Sequence, residues 1–362
     1  MFNINLVDAL ILSVLCVLCF LYFSVRVRFL DFLILASILF ISVSIVGFRS
    51  NEAGFDTHIY VEGYKIAKSS IGIFDVSDDI KTKLGIGSDI GFWAVAYTIG
   101  LFQLSDGAFL YLNALLSIFI LFFGLYKIFG RNAVFYLFAF VVCGTFYNTF
   151  GNAIRQAYVV SLMPLVMYYR YLLFSKTKLL LVLLIMSTFH KGASIVVFAF
   201  LLLSFIRLKH LYVLYALSPL ISVFFGSALS KLAGGDIYSS SSGAYYNPFF
   251  IILNITLVIS GFYYHKVKKK MRGGAGSDSN MLYVLHISLL IMSLLCVIFS
   301  FNEFAYNRVA NFAYLIQSIV ILFYIRFLSS DKSLVSGVAL IFILIWGLLI
   351  LNTSSVQIIL YA

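Results

Sequence analysis

Proline is nearly absent, with three residues in 362, and charged residues make up only 11% of the chain. So few charges against 62% hydrophobic residues, with a mean hydropathy of +1.05, exclude a soluble globular fold and leave a polytopic α-helical membrane protein. Short alternating strands are missing too. Their place is taken by long Leu, Ile and Phe blocks, which excludes an outer-membrane barrel. Cysteine is scarce, and Cys16, Cys19, Cys143 and Cys296 all lie in apolar stretches, where they read as small core residues rather than disulfides or a metal site. Acidic residues number 14 against 25 basic ones. In a soluble chain that excess would suggest nucleic acid. Here the positive-inside bias of cytoplasmic loops explains it, and "HKVKKKMR" (His265 to Arg272) has no interleaved aromatics to stack bases. No nucleic-acid partner is expected. The start "MFNINLVDALILSV" has neither a basic leader nor a small-residue cleavage site, and reads as a retained first span.

What is there is a series of apolar runs separated by short polar turns. Hydropathy and the basic residues predict about 12 transmembrane helices in a single integral membrane domain over 1–362, with both ends outside. The larger outer loops fall at 49–89 and 228–247, and a cytoplasmic loop at 265–280. "IGFWAVAYTIGLFQL" (Ile90 to Leu104) is too short to cross and is expected to be re-entrant or interfacial. "GTFYNTFGNAIRQ" is expected as an outer turn. No internal repeat is visible. Near the middle, "MSTFHKGASI" (Met186 to Ile195) interrupts an apolar run that begins after Lys178 and ends at Arg207. Cytoplasmic-type charges at both ends make the run a hairpin of two short legs, so its turn "FHKGAS" lies at or below the outer surface. His190 and Lys191 are thereby expected to face a protein cavity rather than lipid, where a charge is costly.

Most basic residues obey the positive-inside bias, but Arg49, Arg155, Lys191 and Arg308 fall at outer ends of spans. Polar neighbours accompany them: Glu52, Asp56, His58 and Tyr60 after Arg49, Asn152 and Gln156 around Arg155, and Glu303, Tyr306 and Asn307 before Arg308. Arginine forks onto phosphate bidentately and keeps its charge. At ~4 Å two unit charges attract by about 4 kcal/mol at an effective dielectric near 20, against about 1 in water, so cations at the mouth of a low-dielectric cavity trap anions. The plainer reading is local pairing, Glu303 with Arg308 and Arg49 with Glu52 or Asp56. Lys65, Lys68, Lys81, Lys83 and Lys231 read as solvated loop charges, and the Asp78-Asp79 pair as a solvated one rather than a metal site. The stretch "GGDIYSSSSGAYYNP" (Gly234 to Pro248) reads as an interfacial tyrosine belt, with a sugar-stacking lid as the alternative.

The elements "FRSNEAGFDTHIYVEGY", "SDIGFWAV" (Asp89 to Phe92), "YNTFGNAIRQAYVVSL", "FHKGASI" and "FNEFAYNRVANF", in that order over most of the chain, resemble the EpsG family of Wzy-like polymerases of O-antigen and exopolysaccharide. Lys191-Gly192 departs from the small residue and Ser or Ala that usually follow the histidine. The resemblance implies a fold like that of GT-C glycosyltransferases and a place in the bacterial inner membrane with the active site facing outward. It also implies a reaction in which glycan is transferred from undecaprenyl pyrophosphate to an incoming lipid-linked repeat unit. Partners implied are undecaprenyl-pyrophosphate-linked glycans, membrane lipids and a chain-length regulator protein. No cofactor and no metal is expected. Arg155 and Arg308, with Arg49, would steady charge on the departing pyrophosphate. For the base the choice lies between His190 and Asp56. A histidine titrates near neutrality, and cations beside it favour its neutral, accepting form. Asn152, Gln156, Tyr60, Lys191, Glu303 and Tyr306 would bind substrate. A lipid-linked-sugar flippase and an O-antigen ligase remain the alternative readings.

Overall fold

The computed structural model describes residues 6–24, 28–51, 53–54, 56–84, 89–142, 144–173, 175–232, 248–270, 277–300 and 303–328. Among these every regular element is helical. The chain divides into two compact units, one of Met1–Tyr169 and Ser175–Lys191, the other of Arg170–Phe174 and Gly192–Leu328.

The first unit opens with α1 (Leu6–Ser24) and α2 (Arg28–Gly47), apolar on all sides. Next come α3 (Thr57–Ser69), α4 (Ile73–Leu84) and α5 (Ile90–Leu101), then the long α6 (Asp106–Phe129) and α7 (Ala133–Val141). After α8 (Gly144–Phe146) and a π-helical stretch, Tyr147–Asn152, come α9 (Ile154–Met167) and α10 (Lys176–Phe189). Asp106–Val141, at 36 residues, is long and apolar enough to cross a membrane, and so is Asn280–Phe299 in the second unit, at 20. Leu10–Tyr22, Phe32–Gly47 and Ile90–Leu101 are shorter apolar helices. Large apolar side chains such as Phe20, Phe32, Phe40 and Phe119 point outward and are more than half exposed, as lipid-facing residues are.

Two stretches expected as loops are helical. The segment after Arg49 forms α3 and α4 because "THIYVEGYKIAKS" carries Tyr60, Val61, Tyr64 and Ala67 on one face while Glu62, Lys65 and Ser69 stay outside. Its polar half lowers the mean hydropathy and hides that face from a search for spans. Tyr64 stacks on Phe109 with ring centroids 4.3 Å apart and planes 6° from parallel, and Phe92 meets Trp93, Tyr60 and Tyr158 edge-on. Each such ring pair contributes about 0.5–1.5 kcal/mol beyond burial. This aromatic core fixes α5, whose 12 residues reach only about 18 Å, short of the ~30 Å hydrocarbon core. Outside it, Lys65–Glu62 (2.7 Å) and Lys83–Asp79 (3.2 Å) form exposed pairs, which accounts for one member of the Asp78-Asp79 doublet. Lys68 instead donates to the Leu104 carbonyl at 3.2 Å.

The expected outer turn before Arg155 is the π-helical stretch, with Tyr147, Thr149, Phe150, Gly151 and Asn152 buried. Phe146 stacks on Phe150 at 5.0 Å, and the Ala153 N–H reaches back to the Asn148 carbonyl at 2.9 Å, the long i to i−5 bond of a π-turn. Apolar packing of aromatic side chains thus outweighs the turn preference of Asn and Gly. Behind it, α9 is buried along nearly its whole length, and Tyr158 donates to Asn113 Oδ1 at 2.7 Å inside the bundle.

The second unit holds α11 (Lys191–Leu203) from Gly192 onward, α12 (Leu208–Leu232), α13 (Pro248–Lys270), α14 (Ser277–Phe299) and α15 (Glu303–Leu328). Its core centres on His286 of α14, which is fully buried. Nε2 meets the Tyr212 hydroxyl of α12 at 2.5 Å and Nδ1 the Ser260 hydroxyl of α13 at 2.9 Å. Ser260 in turn meets the Tyr324 hydroxyl of α15 at 3.2 Å, and Tyr264 stacks on the imidazole with ring centroids 5.1 Å apart. Cys16, Cys19 and Cys296 are free thiols in apolar surroundings; Cys143 and the loop at 233–247 lie outside the described residues.

Candidate functional site

The apolar run around "MSTFHKGASI" is broken at His190. α10 ends at Phe189, α11 starts at Lys191, and His190 between them is extended, with φ −161° and ψ 103°. The two helices have 14 and 13 residues, short legs as the charges at the ends of the run imply. His190 is mostly buried, with 17% of its side chain exposed, and belongs to the first unit.

Its partner is Asp89, one residue ahead of α5 and 5% exposed at the side chain. Asp89 stands at the N-cap of α5 yet makes no side-chain bond to that helix. Its carboxylate turns away to three groups. Oδ2 accepts from Arg155 Nη1 at 2.7 Å, Oδ1 accepts from the Lys191 backbone N–H at 3.2 Å, and His190 Nδ1 stands 3.9 Å from Oδ2. Arg155 lies in the first turn of α9, the end at which the helix dipole repels a cation. The Asp89 carboxylate offsets that, and the Tyr60 ring lies beneath the guanidinium at 5.6 Å. Asp56, at the N-cap of α3, adds a second carboxylate in the field of Arg155.

Burial pushes both Asp89 and Asp56 above the usual carboxylate range, with Arg155 pulling each back. Burial likewise raises the Tyr60 hydroxyl, against the opposing charge of Arg155. The centre is therefore a desolvated cluster of one guanidinium, two carboxylates, an imidazole and a phenol.

The remaining expected residues divide. Asn152 is buried and builds the site, accepting from the Asp56 N–H through Oδ1 at 2.9 Å. Gly54, at φ +82°, turns the loop over Asn152, and a Cβ there would stand 3.0 Å from the same Oδ1. Gln156 is buried beside Arg155 in the chain. The Lys191 side chain is exposed; its backbone N–H donates to Asp89, and its charge also pulls that carboxyl down. Arg49 is only 6% exposed and turns into the protein. Its Nε donates to Thr57 Oγ1 at 3.3 Å, Nη1 donates to the carbonyls of Val46 and Phe150, and burial pulls its pKa down to about 10. No ion pair joins it to Asp56 among the described residues, and Glu52 lies outside them. Arg49 therefore pins the start of the α3 loop to the π-helical stretch.

Arg308, Tyr306 and Glu303 belong to the second unit. Arg308 is half-buried and lines a cavity of about 30 Å³ with Gly192, Phe299 and Ala305. Tyr306 is fully buried, its hydroxyl 2.5 Å from that of Tyr314. Glu303 opens α15, and its side chain lies outside the described residues. Among the described residues no group of three or more His, Cys, Asp or Glu side chains stands ready for a metal ion.

Sequence reasoning passed over Asp89 as a site residue, although "SDIGFWAV" displays it. The available signal was a lone acid directly before an apolar helix, which needs a cation elsewhere in the chain. Close packing of α5 on α10 then sets its position. A Cβ on Gly91 would stand 2.2 Å from Thr188 Oγ1 and 3.0 Å from the Thr188 carbonyl carbon. Gly91→Ala is accordingly expected to cost about 1–3 kcal/mol, read as a fall in the thermal midpoint of the detergent-purified protein. An unchanged midpoint would mean the two helices are free to part.

Helices with apolar outward faces, around a buried cluster of charged groups, define a helical membrane protein. A family model described as the EpsG family matches residues 31–362, and the chain belongs to that family. Membership suggests a polymerase-like role in making exopolysaccharide or O-antigen. No curated protein and no solved structure matches the chain.

Proposed function

We propose that this protein is a membrane glycosyltransferase of the bacterial inner membrane. It polymerises oligosaccharide repeat units carried on undecaprenyl pyrophosphate, with its active site on the outer face. The observation that carries the reading is the Asp89 cluster, in which Arg155 and His190 both approach one carboxylate oxygen, Oδ2, at 2.7 and 3.9 Å.

The acceptor sugar's hydroxyl oxygen attacks the anomeric carbon of the growing chain. The bond from that carbon to the pyrophosphate oxygen breaks, and the pyrophosphate leaves with the electron pair. Arg155 stabilises the charge gathering on the leaving oxygens, an interaction stronger in the transition state than in the ground state. The acceptor's proton passes to a base. His190 is the first choice, steered by Asp89, and Asp56 the second. Arg308 is a second candidate cation.

Purified protein incubated with lipid-linked repeat unit is expected to give a ladder of products. Single units moved across vesicles without a ladder would make it a flippase, the reading that the helix break at His190 favours on its own. Transfer of single units onto lipid A core without chain growth would make it a ligase. The rate should rise with pH through the pKa of the base. With His190 as base the acid limb disappears in His190→Gln. With Asp56 as base it survives that substitution and lies above the ordinary carboxylate range, because burial raises that group.

A further inference from the structure

Helices α1, α2 and α6 line a groove of about 330 Å³ within the first unit, none of whose lining residues belongs to the Asp89 cluster. That volume lies in the range of roughly 300–1,000 Å³ found for sites that hold small ligands. On α6 the lining residues Phe119, Phe122, Phe123 and Tyr126 recur at the three- and four-residue spacing of a single helical face. Tyr22 and Phe122 are buried and Phe32 on α2 is exposed, so the groove presents rings from three helices at graded depth. Its volume and apolar lining suit a hydrocarbon chain.

One end of the groove is not apolar. Lys127 Nζ lies over the Phe123 ring at 5.1 Å, and the Arg131 guanidinium lies over the Tyr22 ring at 4.7 Å. Both rings are lining residues. Arg131 also donates to the Tyr22 backbone carbonyl, which fixes the cation against the end of α1. Lys127 is exposed and makes no ion pair among the described residues. In the sequence, Arg26 and Arg28 fall between Ser24 and Phe29, with a single carboxylate, Asp31, shortly after them. A hydrocarbon slot ending in cations is complementary to an apolar chain ending in an anion.

We infer that the groove between α1, α2 and α6 seats one acyl chain of an anionic membrane phospholipid, with Lys127 and Arg131 meeting its phosphate. A zwitterionic lipid of equal chain length brings its own cation to the same place and is disfavoured. The bound lipid bridges three helices and acts as a structural ligand, independent of any glycan chemistry.

The test uses full-length protein, delipidated in neutral detergent, with the thermal midpoint followed as lipid is added. Dioleoyl phosphatidylglycerol should raise the midpoint saturably, while dioleoyl phosphatidylcholine at equal concentration should not. Lys127→Gln should increase the half-saturating concentration of phosphatidylglycerol about five-fold, the weight of one cation at an anionic surface. Phe119→Trp, which narrows the slot, should weaken saturation further, and Lys65→Gln on the distant α3 should leave it unchanged. Equal shifts from both lipids would overturn the site, as would a Lys127→Gln response identical to the unaltered protein's. If a polyprenyl phosphate displaces phosphatidylglycerol in a Lys127-dependent manner, the occupant is the carrier lipid and the assignment to phospholipid fails.

Discussion

Asp89→Asn is expected to cut polymer formation at least about 100-fold and to lower the thermal midpoint by roughly 5 °C or more. Asparagine keeps the size of the side chain and can still accept from the Lys191 N–H. It cannot neutralise Arg155, whose side chain is only 17% exposed. Removing one partner of a buried pair costs about 3–5 kcal/mol, because the other charge stays desolvated. A little residual exposure on the arginine side argues for the lower part of that range. The substitution also removes the group that steers His190, so stability and activity fall together. A second change separates them. Arg155→Met in the Asp89→Asn background removes the stranded charge and should restore most of the lost stability while product stays absent. An Asp89→Asn protein with normal ladder and normal midpoint would show that the carboxylate neither holds the fold nor serves the reaction.

His190→Ala should behave differently, losing about 10²–10⁴ in rate, the contribution of a positioned general base, with little change in midpoint. The side chain lies at a break between helices rather than inside one, and its contact to Asp89 at 3.9 Å is longer than a hydrogen bond. That contact therefore contributes less to folding than the 2.7 Å Arg155–Asp89 pair does. Added imidazole should recover part of the rate in His190→Ala but none in Arg155→Ala, since a diffusing base replaces a base and not a fixed cation. If His190→Ala makes full-length ladder while Asp56→Asn makes none, the proton goes to Asp56, and His190 serves only to end α10.

Composition alone carries the membrane class, and the position of His190 follows from charges at both ends of one apolar run. Arg155 stands out because a cation at an expected outer helix end runs against the usual charge bias. What the chain conceals are relations between distant positions. Asp89 acquires its meaning only when Arg155, 66 residues on, and Lys191, 102 residues on, are folded against it. A hydropathy window sees an isolated acid. Arg49 shows the opposite failure. Like Arg155 it is a cation expected at an outer helix end, yet its Nε and Nη1 are taken up by Thr57 and backbone carbonyls, and only the fold reveals that it faces inward. Tyr306 is similar, polar beside Arg308 in the sequence but bonded to Tyr314 within the helix bundle. The amphipathic α3 and the π-helical stretch were missed because Gly, Asn, Glu and Lys mask a buried aromatic face from averages taken along the chain.

Within a bilayer, one oily helix has scant reason to prefer another as neighbour or to settle at one depth beside it. The His286 imidazole supplies that reason, since the Tyr212 and Ser260 hydroxyls and, through Ser260, that of Tyr324 all converge on a single ring. Sliding any of the four helices by one turn would strand a hydroxyl in hydrocarbon, so the knot works as a vertical registration mark. Evolution can repaint the lipid-facing surfaces of α12 to α15 freely, but these four side chains can drift only in concert.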